Sequence, residues 1–422
     1  MKFNQWTLGL AAVGAVSMAS AVRADEAKLS PVQTALANTT ISGYVSVSAN
    51  ASLDPNGAQY ASSPAGYIPL QSGKQDQISL DVIKLSIAKP QDESPWASGY
   101  QVDLLFGPDA VGWNNSPGAG NSDIAIQQAY ISLRTPVGNG IDWKLGVFNT
   151  VIGYESFDAG SNPNYTRSWG WDVEPTQHTG VLATYKINDE FTVSAGIADT
   201  LSAGINARVN RSNAYDSWNK LAKKTFLGSV AFTAPSSWGW AAGSTIYAGT
   251  VYGFTSGSSF PVPANSRAFA AQNQWNLYAG ATVNTPCKAL TVGVAFDYVQ
   301  NLGGGSSYQY VDGGTYSGSY HTDVSVLGLY ATYKVTDKLS LNARGEWIHG
   351  TVIGAYRYVG DYSYSGSQEN SADAYELTGT VEYDMWANVI SRLEVRWDHV
   401  STPDTLAQRS GLGLYANVIY KF

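Results

Sequence analysis

Side chains suited to covalent or metal chemistry are few and scattered in this chain. Histidine occurs four times, at His178, His321, His349 and His399. Hydrolytic chemistry needs a base within hydrogen-bond reach of a nucleophile, held there by a third group. Asp398 and His399 are adjacent, so on a strand they point to opposite faces and cannot form a dyad there. No GxSxG elbow, HExxH helix or glycine-rich phosphate loop is present. Cys287 is the sole cysteine, so no intramolecular disulfide can form, and zinc finds no ligand cluster. Acidic loops suit calcium in principle, but without a motif. The sequence therefore implies no cofactor and no catalysis. A net charge of −8 opposes broad attraction to nucleic acid. The chemistry left is ionic. Residues 150–176 hold Glu155, Asp158, Arg167, Asp172 and Glu174, with Trp169 and Trp171 two positions apart. Near the C-terminus, Arg392, Glu394, Arg396 and Asp398 alternate with Leu393, Val395 and Trp397.

That alternation requires strands, since successive side chains on a strand leave by opposite faces. Period-two segments of about ten residues recur along the chain. Sixteen are expected: 40–53, 77–90, 98–107, 124–135, 140–149, 177–187, 190–199, 224–235, 238–252, 273–285, 288–300, 322–335, 338–349, 373–385, 388–400 and 410–422. Val82 beside Ile83 breaks the pattern, and a β-bulge there turns Lys84 and Ser86 inward. Composition says which surroundings the strands meet. Charged residues are 14% of the chain, against about 25% in average soluble proteins. Beyond the N-terminus no apolar run is long enough for a membrane helix. Low charge, 43 glycines and 27 tyrosines without apolar blocks fit strands that alternate between lipid and a polar interior.

Energetics orient the strands. An arginine facing lipid at mid-bilayer costs about 2–4 kcal/mol. The charged faces must therefore line a lumen. By this register Arg134, Lys144, Arg344, Arg392 and Arg396 face inward, with Asp103, Glu346, Glu376, Glu382 and Glu394. Some of these are expected to pair across neighbouring strands.

Connection lengths choose the architecture. Long polar stretches at 54–76, 108–123 and 150–176 alternate with short ones at 91–97, 136–139 and 188–189. Tight turns then follow at 236–237, 286–287, 336–337 and 386–387. Such sorting is the outer-membrane pattern, with short turns in the periplasm. Closure also removes the strand edges that lipid cannot satisfy. The expected fold is all-β, a transmembrane antiparallel barrel of about sixteen strands with long extracellular loops. A charged start, an apolar run from Thr7 to Val22 and small residues near Ala24 predict a signal peptide over 1–24. Residues 25–39 form a periplasmic lead-in, and 40–422 the barrel. Tyr130, Trp143, Tyr185, Trp238, Trp240, Tyr247, Tyr252, Tyr333, Trp347, Tyr383, Trp386, Trp397 and Tyr420 are expected to form interfacial girdles. The tyrosine- and glycine-rich stretches 301–321 and 350–372 read as exposed loops.

Two places resemble known barrels. Phe422, with Tyr420 and alternating apolar residues before it, resembles the C-terminal signal read by barrel-assembly machinery. The segment GYE, NPNYTRS and EPTQHTGVLATY within 148–190 resembles the β-barrel porin family often called OmpL-like. The resemblance implies a Gram-negative outer-membrane channel that passes small polar solutes or ions passively. In general porins the third long loop folds inward and narrows the lumen, which assigns that part to 150–176. Its Glu155, Asp158, Arg167, Asp172 and Glu174 would then face the wall arginines across water and set a transverse field. Sixteen-stranded porins are usually homotrimers. The alternatives are a substrate-specific channel, such as one for sugars, a structural or adhesive barrel, and an outer-membrane hydrolase acting through His178 or His399.

Overall fold

A computed structural model describes residues 38–53, 77–111, 123–201, 223–254, 273–301, 323–350, 371–401 and 409–422, with Lys74 and a few isolated positions in the long connections. The expected signal peptide, most of the lead-in, most of the tyrosine-rich stretches and His321 lie outside the described residues.

The strands are β1 (Thr40–Ser52), β2 (Gln77–Lys89), β3 (Ser98–Phe106), β4 (Ile124–Thr135), β5 (Ile141–Asn149), β6 (Gln177–Lys186), β7 (Phe191–Ala198), β8 (Thr225–Thr233) and β9 (Thr245–Phe254). They continue as β10 (Asn273–Asn284), β11 (Leu290–Gln300), β12 (Ser307–Tyr308), β13 (Gly318–Ser319), β14 (Val324–Lys334), β15 (Leu339–Gly350), β16 (Ala372–Tyr383), β17 (Val389–Ser401) and β18 (Arg409–Lys421). β12 and β13 pair only with each other. The other sixteen form one closed antiparallel barrel, each paired with its chain neighbours, and β1 closes on β18. Two backbone bonds between Gly43 and Phe422 finish the seam.

The alternation has the expected sense. On β17 Arg392, Glu394, Arg396 and Asp398 are buried, while Leu393 and Val395 are 52% and 42% exposed. Outward faces elsewhere carry Leu329, Leu341, Leu377, Val381 and Val418, all exposed. A barrel that exposes its leucines and buries its arginines is inverted for water and correct for lipid. The bulge expected near Val82 is present: Ser46 pairs with Val82 and Val47 with Leu80, leaving Asp81 over. Asp81, Val82 and Lys84 are all buried as a result. A second irregularity leaves Gln127 over between β3 and β4.

Three expectations need correction. The strand expected at 238–252 begins only at Thr245. Residues Ser236–Ala241 instead form a 3-10 helix, broken at Gly239 with φ 61°, and Gly243 follows with φ 77°. Aromatic content there imitated a strand, and the two-residue turn expected at 236–237 becomes the segment 234–244. Trp238 and Trp240 still lie exposed at the short-turn end. Tyr130 and Tyr247 do not belong to a girdle. Both pack against an interior apolar cluster around Phe148, Val151 and Leu182.

Candidate functional site

The site is built by the stretch between β5 and β6. Thr150 N–H donates to the Thr176 carbonyl and closes its base. Between them the chain forms a 3-10 turn at Ala159–Ser161 and a short helix, α1 (Trp169–Val173). The Ser168 side chain caps α1 by accepting from Trp171 N–H at 3.0 Å. Pro163 and Gly153 (φ 112°) keep the rest from forming regular structure.

This loop reaches the inward faces of β10 and β15 to β18, and most of the contacts are to its backbone. Arg344 of β15 donates to the carbonyls of Thr166 at 2.6 Å and Arg167 at 3.1 Å. Arg392 of β17 donates to the carbonyls of Ala159 at 2.9 Å and Asn162 at 2.6 Å. Arg396 donates to the Arg167 carbonyl at 2.6 Å. Asn342 holds the Pro163 carbonyl, Asn276 that of Val173 and Lys421 that of Gly160. Carboxylates of the wall take the loop's amides. Glu394 accepts from Tyr165 N–H at 2.6 Å and Thr166 N–H at 2.8 Å. Glu346 accepts from Trp169 N–H at 2.7 Å and Gly170 N–H at 3.2 Å, at the start of α1 where amides lack helical partners. Charged acceptors and donors of this kind make the stronger hydrogen bonds.

Three sequence-derived acids anchor the loop. Glu155 accepts from Arg344 at 2.9 Å and from Ser168 N–H. Asp158 accepts from Lys84 of β2 at 2.6 Å, and Lys84 also lies 3.4 Å from Asp103. Glu174 is buried against Asp297 of β11. Burial first and that neighbouring carboxyl second push Glu174 well above the usual carboxylate range. Arg167 donates to the carbonyls of Ser156 and Phe157, and its guanidinium lies 4.2 Å from the centre of the Trp171 ring. Asp172 is exposed on α1.

The wall arginines do not all serve together. Arg344, Arg392 and Arg396 do not face the loop across water: they touch it. Arg134 of β4 instead pairs with Asp142 at 2.7 Å and reaches the Asn139 carbonyl in a short turn. Lys144 of β5 sits 4.8 Å over the Tyr130 ring. Residues missed by sequence reasoning include Asn276, Asn342, Tyr247 and the wall glycines. Tyr247 donates to the Val151 carbonyl. A Cβ at Gly249 would lie 2.8 Å from Ile152, and one at Gly293 would strike the Tyr154 hydroxyl. Glycines at inward positions of a strand were the available signal, because they mark close approach of another chain segment.

Beside the loop, a cavity of about 40 Å³ is lined by Tyr44, Asp81, Asp109, Tyr165, Arg167 and Trp171, among others. On the short-turn side a cavity of about 670 Å³ opens, lined by Arg134, Asp142, Thr184, Ser194 and Ser229, among others. The histidines are spent elsewhere. His178, fully buried, meets Thr150 Oγ1 at 3.0 Å at the loop's base. His349 and His399 lie on the outer face, stacked on Trp347 and Trp397. His399 touches Ser410 Oγ at 2.7 Å, and Asp373 is bonded to His349 and Trp347.

The model of the family described as Putative beta-barrel porin-2, OmpL-like, matches residues 38–422. The chain belongs to this porin family. The porin shares its fold with solved outer-membrane structures. The channel DcaP of Acinetobacter baumannii is 14% identical, with TM-score 0.55, over 91% of this chain and 97% of that one. An anion-selective porin from Comamonas acidovorans is 12% identical, with TM-score 0.54, over 91% and 99%. OmpT of Vibrio cholerae, solved in trimer form, is 12% identical, with TM-score 0.53, over 91% and 99%. No curated protein matches the porin in sequence. Family and fold put the porin in the bacterial outer membrane as a passive diffusion channel, and its family and structural neighbours are not enzymes.

Proposed function

We propose that residues 150–176 form the constriction of this channel and that small polar solutes or ions pass beside them by passive diffusion. The observation that carries this is the grip on the loop's backbone by Arg344, Arg392, Arg396, Glu346 and Glu394. In this reading the charges divide into two sets. Glu155, Asp158 and Glu174, with the three arginines, hold the loop in place. Arg167, which lines the cavity beside the loop, and Asp172, exposed on α1, act on the solute. The cavity beside the loop, about 40 Å³, has room for only a few waters, which is the size expected beside a constriction.

The porin is not an enzyme in this proposal, because among the described residues no carboxylate is bonded to the His399–Ser410 pair. A homotrimer fits as its assembly, as in the trimer form of OmpT. A substrate-specific channel is the second reading. It is favoured by the aromatic lining of the cavity beside the loop, where Phe157, Tyr165 and Trp171 surround Arg167. Planar-bilayer recording tests both. Deleting 156–172 is expected to raise single-channel conductance severalfold in a barrel that still shows heat-modifiable migration. Unchanged conductance removes the constriction role, and conductance that saturates with one sugar supports the specific channel.

A further inference from the structure

On the outer wall, two rows of side chains near the long-loop end form a step. Phe226, Tyr252 and Trp275 are cross-strand neighbours on β8, β9 and β10. One row nearer mid-membrane stand Gly228, Thr250 and Leu277. The small second row beneath the aromatic first row leaves a groove of about 450 Å³, walled almost wholly by apolar atoms. Trp275 Nε1 donates to Thr250 Oγ1 at 2.8 Å and Asn273 donates to the Tyr252 hydroxyl at 3.2 Å, which fixes both rings. The groove ends under positive charge. Tyr252 packs edge-on against Phe254, and the exposed Lys223 ammonium lies 4.1 Å from the centre of the Phe254 ring. Lys224, next in the chain, is paired with Asp199.

An apolar seat at outer-leaflet depth, with an ammonium just above it at headgroup depth, complements an amphiphile with an acyl chain and an anionic head. We propose that this groove binds one acyl chain of a phosphate-bearing, multiply acylated glycolipid of the outer leaflet, with Lys223 meeting a phosphate. The occupant is a lipid rather than a second copy of the chain. The seat is an open apolar groove whose one ammonium, Lys223, lies at the rim where an anionic headgroup sits, a charge that the apolar wall of a second copy would not match. A Cβ at Gly228 would meet nothing closer than Thr250 at 3.8 Å, so the cleft can be filled without disturbing the barrel.

Native mass spectrometry of the detergent-solubilised full chain tests this, with purified bisphosphorylated lipid A and phosphatidylglycerol as probes. Lipid A is expected to be retained in preference to phosphatidylglycerol. Gly228→Phe is expected to weaken its retention about tenfold, the order expected when a few methylenes lose a buried seat. Lys223→Glu is expected to weaken it severalfold and to abolish the salt dependence seen in the wild type. Channel conductance serves as the control, since both positions lie outside the lumen and neither belongs to the constriction. Thr250→Leu fills the same cleft from β9 should Gly228→Phe fail to fold. Undiminished lipid A retention in the filled variants overturns the proposal. So does equal retention of phosphatidylglycerol, or a change in oligomeric mass on filling the cleft, which would assign it to a second copy.

Discussion

Replacing Arg344 with methionine tests how the constriction loop is held. Arg344 is fully buried, and its guanidinium serves two elements. Nε and Nη2 face Glu376 at 3.1 and 3.2 Å, while Nη1 faces Glu155 at 2.9 Å and the Thr166 carbonyl at 2.6 Å. Glu346 is 3.6 Å away. Methionine matches much of the volume but leaves three carboxylates around one lost cation. Removing one partner of a buried ion pair costs about 3–5 kcal/mol. The strand ladder of β14, β15 and β16 does not involve this side chain, so the loss falls mainly on the loop's seating. At roughly 1.4 kcal/mol per factor of ten, the seated state loses two to three and a half orders of magnitude. A loop held by a comparable margin would then sample seated and released states in similar proportion. The expected record in a planar bilayer is a higher mean conductance with stepwise noise, from a barrel whose heat-modifiable migration is retained. Arg344→Lys should lie between, because an ammonium keeps the charge but not the planar fork. A current trace from R344M that matches the wild type would refute the latch.

Gly249→Val should press on Ile152 and the Val151 carbonyl, 2.8 and 3.0 Å from its Cβ, shifting the loop's first turn. Altered conductance with unchanged barrel stability in urea is the expected pair of results. Glu174 should make the seating of the loop weaken as pH rises. Its pKa in the folded chain is raised above an unfolded value of about 4.3, so the folded state holds the extra proton, and stability declines as pH rises toward and through the raised value. Open-channel noise should therefore grow as pH is raised above about 4.3 in the wild type and change less in Glu174→Gln. Leu393→Arg, on the outer face, should cost about 2–4 kcal/mol if the residue lies near mid-bilayer, read from urea titrations of folding into vesicles.

Strand parity was legible because lipid makes errors of facing expensive. Arg392, Glu394, Arg396 and Asp398 could point only one way, and they do. Parity failed where it could not see a change of backbone state. The glycines at 239 and 243 turn the chain before β9 begins, so Trp238 and Trp240 passed for strand residues. Tyr130 and Tyr247 were taken by residue type, although their registers place them inside with the cluster around Phe148. The loop's charges were readable as a group, but not what they meet. Thr166 and Arg344 are 178 positions apart, and the bond between them depends on barrel closure that no local pattern encodes. Parity made wall arginines look like pore linings, whereas three of them end on loop carbonyls.

The wall grips the loop by carbonyls and amides, which every residue other than proline presents alike. Under the proposed function, retention and filtering are thus written on different atoms of the same segment. A side chain such as Asp172, exposed on α1, can be exchanged, by drift or by design, while the frame around the loop goes on recognising the same polypeptide trace. If the loop is the constriction proposed above, a barrel built this way is a socket for interchangeable filters, with new selectivities reachable through exposed loop side chains that assembly does not read.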